Sequence, residues 1–373
     1  MVILQAEKWV HGGYTIARFE EKTYFIKGAV PGERVKCKII EDKKEHAFVI
    51  VEEVLEKSSE RIANECTSFP ECGGCSFWNI SYEEEKRIKK ELFIQELAHK
   101  KIEFEISKIQ FHSGPEKKYR NTVQVKVDSR KIGFYKEKSR EIIEFPKQGC
   151  LLLPDEFNQL FKVKKKFPSD GKLRLSDKIY EYGRSESKFI VLNKEIKIPT
   201  NGFFQINRFL IEPWVKSIQS IVKQKASIIT EFFCGSGLIS LFVGEDSEKM
   251  YAFELESKAI EAAKKNAKNN SLHHIEFYAL DLYKKKPTEK YLLTDFWIAN
   301  PPRSGLGNLL LEQVKQYKPK YFLYSSCNYS TLVRDLKYFI EYEYAIESIE
   351  IFDFFPRTPY FETLVLLKKI TPT

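Results

Sequence analysis

The chain has 373 residues, a formal net charge of +9 and 43 % apolar side chains, enough for two or three domains with cores of their own. No stretch is long and apolar enough to span a bilayer, and charge arrives at Glu7 and Lys8, too early for a secretory leader; a monomeric, cytoplasmic protein with no membrane partner is expected. The cationic excess favours a polyanionic partner, because lysine and arginine release counterions from phosphates, although a solvated Lys/Glu-rich surface carries the same excess.

Residues 1–57 read as short strands broken by turns. Thr23–Ile26, Arg34–Ile40 and Ala47–Val54 alternate, and Gly12-Gly13, Gly28 and Pro31-Gly32 punctuate them. About five such strands in so short a segment predict a small β-barrel of the oligonucleotide-binding kind. Ser81 to about Lys101 is predicted helical: Ser81 can cap, Glu83, Glu84 and Glu85 follow in the first turn, and Ile88, Leu92 and Leu97 form an apolar stripe. A helix across 84–111 is expected to pack against the sheet of the C-terminal half. Residues 119–195 alternate again as strands, as in Thr122–Val127. From Asn201 helix and strand alternate, which predicts a parallel sheet with helices on both faces. The overall class is α/β, with a Rossmann-like domain at 201–373, a barrel at 1–57 and a strand-rich segment at 58–200.

Ser227–Phe233 is a buried-strand candidate running into Cys234-Gly235-Ser236-Gly237, and Leu238–Val243 is helical. Glycines at that bend let backbone approach a ligand closely. About 20 residues on, Met250–Glu254 is a second strand ending in an acid, placed to accept bonds from ribose hydroxyls. A third strand, His274–Leu280, ends in Asp281, placed for an adenine amino group. The turn is G-x-G without the third glycine of a diphosphate cradle, which favours S-adenosylmethionine over a dinucleotide. Asp295–Asn300 is a further strand, so Asn300 is expected near the transferred methyl group, stiffened by Pro301 and Pro302. Tyr321–Ser326 follows, and Cys327 stands at its end beside the same pocket.

A thiol facing a methyl donor suggests one reaction. Uracil C5 is too weak a nucleophile to take a methyl group directly. A thiolate added at C6 makes C5 electron-rich, and a base must then remove the C5 proton. Glu362 is the candidate base. Taken alone, Cys327 reads as a buried inert thiol and Glu362 as an ordinary strand acid.

Seven cysteines without a leader argue for metal or catalytic roles rather than disulfides. Cys66, Cys72 and Cys75, in the pattern C-x5-C-G-G-C, with Cys150 further on, could hold zinc or an iron–sulfur cluster, although the paired C-x2-C knuckles usual for zinc are missing. Cys37 and Cys234 are left as core or turn residues.

Phe203-Phe204-Gln205-Ile206-Asn207, Phe233-Cys234-Gly235-Ser236-Gly237, Asn300-Pro301-Pro302-Arg303-Ser304-Gly305-Leu306, Ser326-Cys327-Asn328 with Thr331, Leu332 and Arg334-Asp335-Leu336, and Glu362-Thr363 occur in this order. Together they resemble the RNA 5-methyluridine methyltransferases across nearly the whole chain. The resemblance implies Cys327 as nucleophile, Glu362 as base, and Gln205, Phe233 and Glu254 as contacts to the methyl donor. It implies a TRAM barrel at the N-terminus and a [4Fe–4S] cluster on Cys66, Cys72, Cys75 and Cys150, read as a brace rather than a redox centre. Three departures stand out. Asn300 replaces the commoner aspartate, as in some ribosomal-RNA branches, and can make one bond to a uracil edge but carries no charge. Tyr329 stands where proline is frequent, and Tyr360 where histidine is frequent. Asn-Pro-Pro also resembles amino-group methyltransferases, but an aromatic follows there and Arg303 follows here.

Tyr119-Arg120-Asn121 and Gly133–Lys136 with Lys138 and Arg140 mix basic and aromatic residues, suited to phosphate contacts and base stacking, or equally to an amphipathic strand pair. The expected substrate is therefore structured RNA with an unstacked uridine, ribosomal (23S) RNA first and transfer RNA second. The rival readings are an RNA-binding protein with a relic donor pocket, and an iron–sulfur redox protein.

Overall fold

The computed structural model describes residues 1–128, 131–163, 167, 169–181, 186–199 and 201–370. In chain order the elements are β1 Val2–Gln5, β2 Lys8–Val10, β3 Tyr14–Phe19, β4 Lys22–Lys27, β5 Arg34–Asp42, β6 His46–Glu56, α1 Tyr82–His99, β7 Gln110–His112, β8 Thr122–Val127, β9 Ile132–Tyr135, β10 Ile142–Glu144, α2 Asp155–Val163, β11 Gly171–Leu175, β12 Ile179–Glu181, β13 Ser187–Val191 and β14 Lys194–Ile198. There follow α3 Ile211–Val222, β15 Ile228–Phe232, α4 Leu238–Val243, β16 Lys249–Glu254, α5 Ser257–Asn269, β17 Ile275–Ala279, β18 Phe296–Ala299, α6 Asn308–Tyr317, β19 Tyr321–Ser326, α7 Tyr329–Glu341, β20 Tyr344–Phe352 and β21 Glu362–Lys369. Among the described residues no helix is long and apolar enough to cross a membrane.

The chain divides into two compact units: Met1–Phe93 with Pro115–Leu175 and Phe355–Tyr360, and Ile94–Gly114 with Ser176–Phe354 and Phe361–Thr373. In the first unit β1-β5-β6-β4-β3-β2 form one sheet. Alternate residues face inward, so Leu4, Ala17, Ile26, Val35, Cys37, Ala47 and Val49 make a common core. Strands near opposite ends of the sheet, β1 and β3, share that core, so the sheet curls into a small barrel. Register shifts at Arg34/Val35, Lys36/Cys37 and Ile39/Glu41 bend the long β5–β6 pair. Cys37 is a core residue.

The helix expected over 84–111 is shorter. Ser81 Oγ accepts the Glu84 N–H at 3.1 Å at its start, but α1 stops at His99. Lys101 turns left-handed (φ 57°), its N–H bonds to the Ala98 carbonyl, and the Ile102 N–H bonds to that of Leu97. Ile102 is buried. This is the capping pattern that ends helices, and the chain continues into a 3₁₀ turn at Ile106–Lys108 and then β7.

The short segment Phe355–Tyr360 is held in the first unit by Arg357, which is 3 % exposed. Its guanidinium donates to the carbonyls of Phe77 and Ile80 and to Glu116, it lies 4.6 Å from the Trp78 ring centroid, and its N–H donates to Glu85. A buried cation with this many partners fixes one arrangement of the loop.

In the second unit eight strands run β17-β16-β15-β18-β19-β21-β20-β7. The first five are parallel; β21 is inserted antiparallel between β19 and β20, and β7 lies parallel to β20. The central strands are apolar runs, with Phe232, Trp297, Ile298, Phe322, Leu323, Val365 and Leu367 fully buried, as expected where both faces are covered. From β15 the chain winds outward to β16 and β17 on one side and to β18 and β19 on the other. That reversal leaves a crevice at the carboxyl ends of β15 and β18, where such sheets bind ligands.

Candidate active site

Five loops leave the carboxyl ends of the parallel strands, and each carries a residue singled out from the sequence. After β15 the backbone makes a tight turn through Phe233 (φ 61°), Gly235 (φ 55°) and Gly237 (φ 80°). Glycine takes that left-handed geometry at little cost, whereas Phe233 is held in it. The turn is locked from two sides. Glu254, at the end of β16, accepts the Gly235 N–H at 3.0 Å and also the N–H groups of Leu255 and Glu256. Asn266 on α5 is fully buried and donates to the Ser236 carbonyl at 3.0 Å. Glu254 was singled out as a ribose acceptor; its carboxylate first of all orders the glycine turn. Asn266 went unrecognised in the sequence, where it is one polar residue in a Lys/Asn-rich helix.

Asp281 lies just beyond β17, where it accepts the Tyr283 N–H at 3.1 Å. Asn300 follows β18 and donates its N–H to the Phe232 carbonyl at 3.3 Å. Gln205 is 4 % exposed, in the loop before α3. In that loop Asn207 is fully buried and donates to the Asp353 carbonyl. Behind the turn Glu231 is buried against Ser240, and burial pushes its carboxyl up to about 8.

The strand pairing of β19 with β21 matches Ser325 to Leu364 and Ser326 to Thr363. Continued by one residue, it sets Cys327 against Glu362, residues 35 positions apart in the chain. Glu362 is 2 % exposed and accepts Ser325 Oγ at 2.6 Å. Burial pushes its carboxyl up to about 7, and the Ser325 bond opposes the rise. The Cys327 thiol is pushed up to about 11, by burial first and by the nearby Glu362 second.

Arg303 works in the opposite direction on Cys327. Its charge and a side-chain hydrogen bond pull the thiol down. The motif residues of α7 explain why Arg303 is there. Asn328 Nδ2 and Thr331 Oγ1 both donate to the Arg303 carbonyl, at 3.0 and 3.2 Å. Arg334 donates to the Ser304 carbonyl, and the fully buried Asp335 accepts the Leu306 N–H and the Tyr324 hydroxyl. Gly305 (φ 84°) admits no side chain, since a Cβ would fall 2.5 Å from Asp335 Oδ2. Arg303 was quoted from the sequence only as part of a motif; a cation near a thiol was the available signal. Tyr329, the departure from proline, stacks on Phe361 with centroids 5.1 Å apart and planes 4° apart. The stack joins the chain beside Cys327 to the chain beside Glu362.

The four remaining site cysteines lie in the first unit. Backbone N–H groups of Ser68 and Phe69 point at the Cys66 sulfur, that of Gly74 at Cys72 and that of Leu152 at Cys150. Burial raises all four thiols, and Cys75 is raised further by Cys150, Cys72 and Cys66. N–H donors aimed at sulfur, and mutual repulsion among thiols, suit thiolates that share cationic metal. Among the described residues, however, no group of three or more His, Cys, Asp or Glu is spaced to hold a metal ion. The chemistry of the donor set thus suits a metal, whereas its spacing in this structure does not.

Known proteins agree with this architecture. Residues 170–370 match the family described as tRNA (uracil-5-)-methyltransferase, and residues 2–51 match the TRAM domain. An uncharacterised RNA methyltransferase from Leptospira interrogans is 37 % identical, over 99 % of this chain and 95 % of its own length. One from Aquifex aeolicus is 27 % identical over 98 % of each chain. The crystal structure of Pyrococcus abyssi tRNA (uracil-54, C5)-methyltransferase with S-adenosyl-L-homocysteine shares the fold, with a TM-score of 0.74 over 98 % of this chain and 99 % of that one, at 18 % identity. The second unit therefore has the class I methyltransferase fold.

The electrostatics at Cys327 and Glu362 predict a pH signature. A carboxyl raised to about 7 is half ionised at neutrality and mostly ionised only above it, so kcat/KM of a reaction in which it takes a proton should climb with pH through that region. In Ser325→Ala the bond that lowers the carboxyl is lost, and the rising limb should move to higher pH. Arg303→Gln should lose at least about tenfold at pH 7 and recover part of it in alkali, where the thiol ionises unaided. Initial-rate pH profiles of the three proteins check this; superimposable profiles would contradict it.

Proposed function

The chain belongs to the tRNA (uracil-5-)-methyltransferase family, and we propose on that premise that it methylates C5 of a uridine in structured RNA through a temporary bond between Cys327 and C6. The observation that carries this reading is the strand register that brings Cys327 to Glu362 at the carboxyl end of the sheet. The donor, S-adenosylmethionine, supplies an electrophilic methyl group on a sulfonium. Gln205, Phe233, Gly235, Glu254 and Asp281 would hold it, with Asn300 between donor and uracil edge.

Cys327 gives up its proton to solvent with Arg303 balancing the thiolate, and sulfur adds to C6. The displaced electron pair makes C5 the nucleophile that takes the methyl group, as the S–CH3 bond of the sulfonium breaks and the donor leaves as a neutral thioether. Glu362 then removes the C5 proton, the pair restores the C5–C6 double bond, and the thiolate leaves. A carboxyl held near 7 by burial is matched to that proton transfer, since it can both accept the proton and release it to solvent at neutral pH.

The TRAM barrel at 1–57 and the rest of the first unit are assigned to RNA binding; the second unit, which takes 94–114 and 176–199 out of the segment expected at 58–200, is assigned with 201–354 and 361–370 to catalysis. Ribosomal RNA is the first choice of substrate, because Asn300 and the C-x5-C-G-G-C pattern resemble those branches; transfer RNA is the second, favoured by the family's description. Cys66, Cys72, Cys75 and Cys150 are proposed to hold a [4Fe–4S] cluster that braces the first unit, supported by the N–H groups aimed at three of their sulfurs, those of Cys66, Cys72 and Cys150.

Purified protein incubated with labelled donor and separate ribosomal and transfer RNA fractions should yield 5-methyluridine from the ribosomal fraction on nucleoside analysis. Methyladenosine instead would refute the base assignment, and label confined to transfer RNA would refute the choice of substrate. Cys327→Ala should show no turnover. Glu362→Gln should slow product release by roughly 10²–10⁴-fold and leave RNA attached to the protein. Protein purified without oxygen should contain about four iron and four sulfide per chain, lost in Cys72→Ser; a fully active preparation with zinc or no metal would rule the cluster out.

A further inference from the structure

The first unit carries an open groove of about 560 Å³ that the proposed chemistry does not use. Its lining is unusual in charge. Lys126, Lys136, Lys138 and Arg140 face it, together with Tyr135, Phe134 and Gln124, and Glu137 is its one carboxylate. Glu137 is occupied: its oxygens accept the buried Lys27 ammonium and the Tyr14 hydroxyl. The groove is therefore cationic.

Its cations are poised rather than committed. Lys126 pairs with Asp170, Lys136 with Glu141 and Glu71, and Lys138 with Glu41; three of these four carboxylates are well exposed to water. Exposed pairs of this kind are worth little and exchange readily for a phosphate. Arg140 is exposed and has no carboxylate partner among the described residues. Beside the cations lie flat rings. The Tyr135 ring is 37 % exposed and already carries the Lys126 ammonium 4.9 Å from its centroid. Lys138 sits 3.5 Å from the centroid of Phe48, which stacks on Phe25 at 4.9 Å. Lys138 does so from a left-handed turn (φ 48°), a conformation that glycine would take at lower cost.

The groove wall is rigid. The Gly73 N–H bonds to the Tyr135 carbonyl, the Glu137 N–H bonds to that of Glu71, and Lys27 Nζ donates to that of Cys72 at 3.2 Å. Cations beside an exposed ring on a fixed frame suit single-stranded nucleic acid: phosphates meet the cations and an unpaired base stacks on the ring, without base-edge readout. A duplex would offer no free ring faces.

We infer that this groove holds an unpaired stretch of the RNA substrate, one base stacking on Tyr135 in place of Lys126 and adjoining phosphates bound by Lys138 and Arg140. The assignment rests on the proposed activity for its choice of RNA, but it can be tested apart from it. In the full-length protein, Tyr135→Ala should weaken binding of in-vitro-transcribed ribosomal RNA roughly 5- to 100-fold with an unchanged salt slope. Arg140→Gln should reduce the slope of log Kd against log salt by about 0.7–0.9. In both variants KM for RNA should rise while kcat at saturating RNA and affinity for S-adenosylmethionine stay as in the unmodified protein, and 4-thiouridine photocrosslinks should map to residues 132–140. Unchanged RNA affinity in both variants, with crosslinks elsewhere, would overturn the groove assignment while leaving the methyltransferase reading intact. The same outcome with capture of an acidic protein at these residues would reassign the groove to a protein partner. Wild-type protein that binds RNA through this groove and forms no 5-methyluridine would instead overturn the activity and leave the groove standing.

Discussion

The register between two neighbouring strands is the constraint on which the site depends. β21 enters the sheet antiparallel to β19, and the pairing of Ser326 with Thr363 leaves Cys327 and Glu362 as the next opposed residues. Side chains alternate along a strand, so a slip of one residue would turn Glu362 to the other face and remove it from the thiol. Several contacts oppose such a slip. Val365 and Leu367 are fully buried in the sheet, Ser325 bonds Glu362 directly, and Tyr329 stacks on Phe361 beside the opposed pair.

Burial then sets the chemistry. The environment that raises Glu362 to about 7 also raises Cys327 to about 11, and the charge of Glu362 adds to the rise at the thiol. A good position for a base is thus a poor one for a thiolate. Arg303 acts against that rise because it offsets charge on the sulfur, and much of the motif at the start of α7 serves to hold its loop. Asn328, Thr331, Arg334 and Asp335 all bond to backbone between Arg303 and Leu306. Their spacing follows from one helical face presented to one loop.

Much of this was legible in the sequence. Short apolar runs rich in aromatic residues, such as Phe296–Ala299 and Tyr321–Ser326, read as buried strands, and the residues after them then lie at one edge of the sheet. What was not legible depends on contacts distant in the chain. Nothing local marks β21 as antiparallel and inserted between β19 and β20, so the meeting of Cys327 with Glu362 rested on resemblance alone. The stop of α1 at His99 reflects a left-handed Lys101 and a buried Ile102, in a stretch whose lysines read as ordinary helix formers. The bonds from Glu254 to the glycine turn, and from Asn266 to Ser236, were hidden because either residue could as well have faced solvent. Arg303 was visible as a letter and not as a partner of the thiol.

The central claim is that Cys327 bonds covalently to the pyrimidine before the methyl group moves. RNA carrying 5-fluorouridine at the target position tests it directly, since fluorine cannot leave as a proton does and the reaction stops with sulfur still attached. Incubation with S-adenosylmethionine, nuclease digestion and mass spectrometry of the peptides should find one methylated fluorouridine on Cys327. A protein that methylates ordinary RNA but forms no adduct with the fluorinated one, or forms it at another residue, would contradict the account.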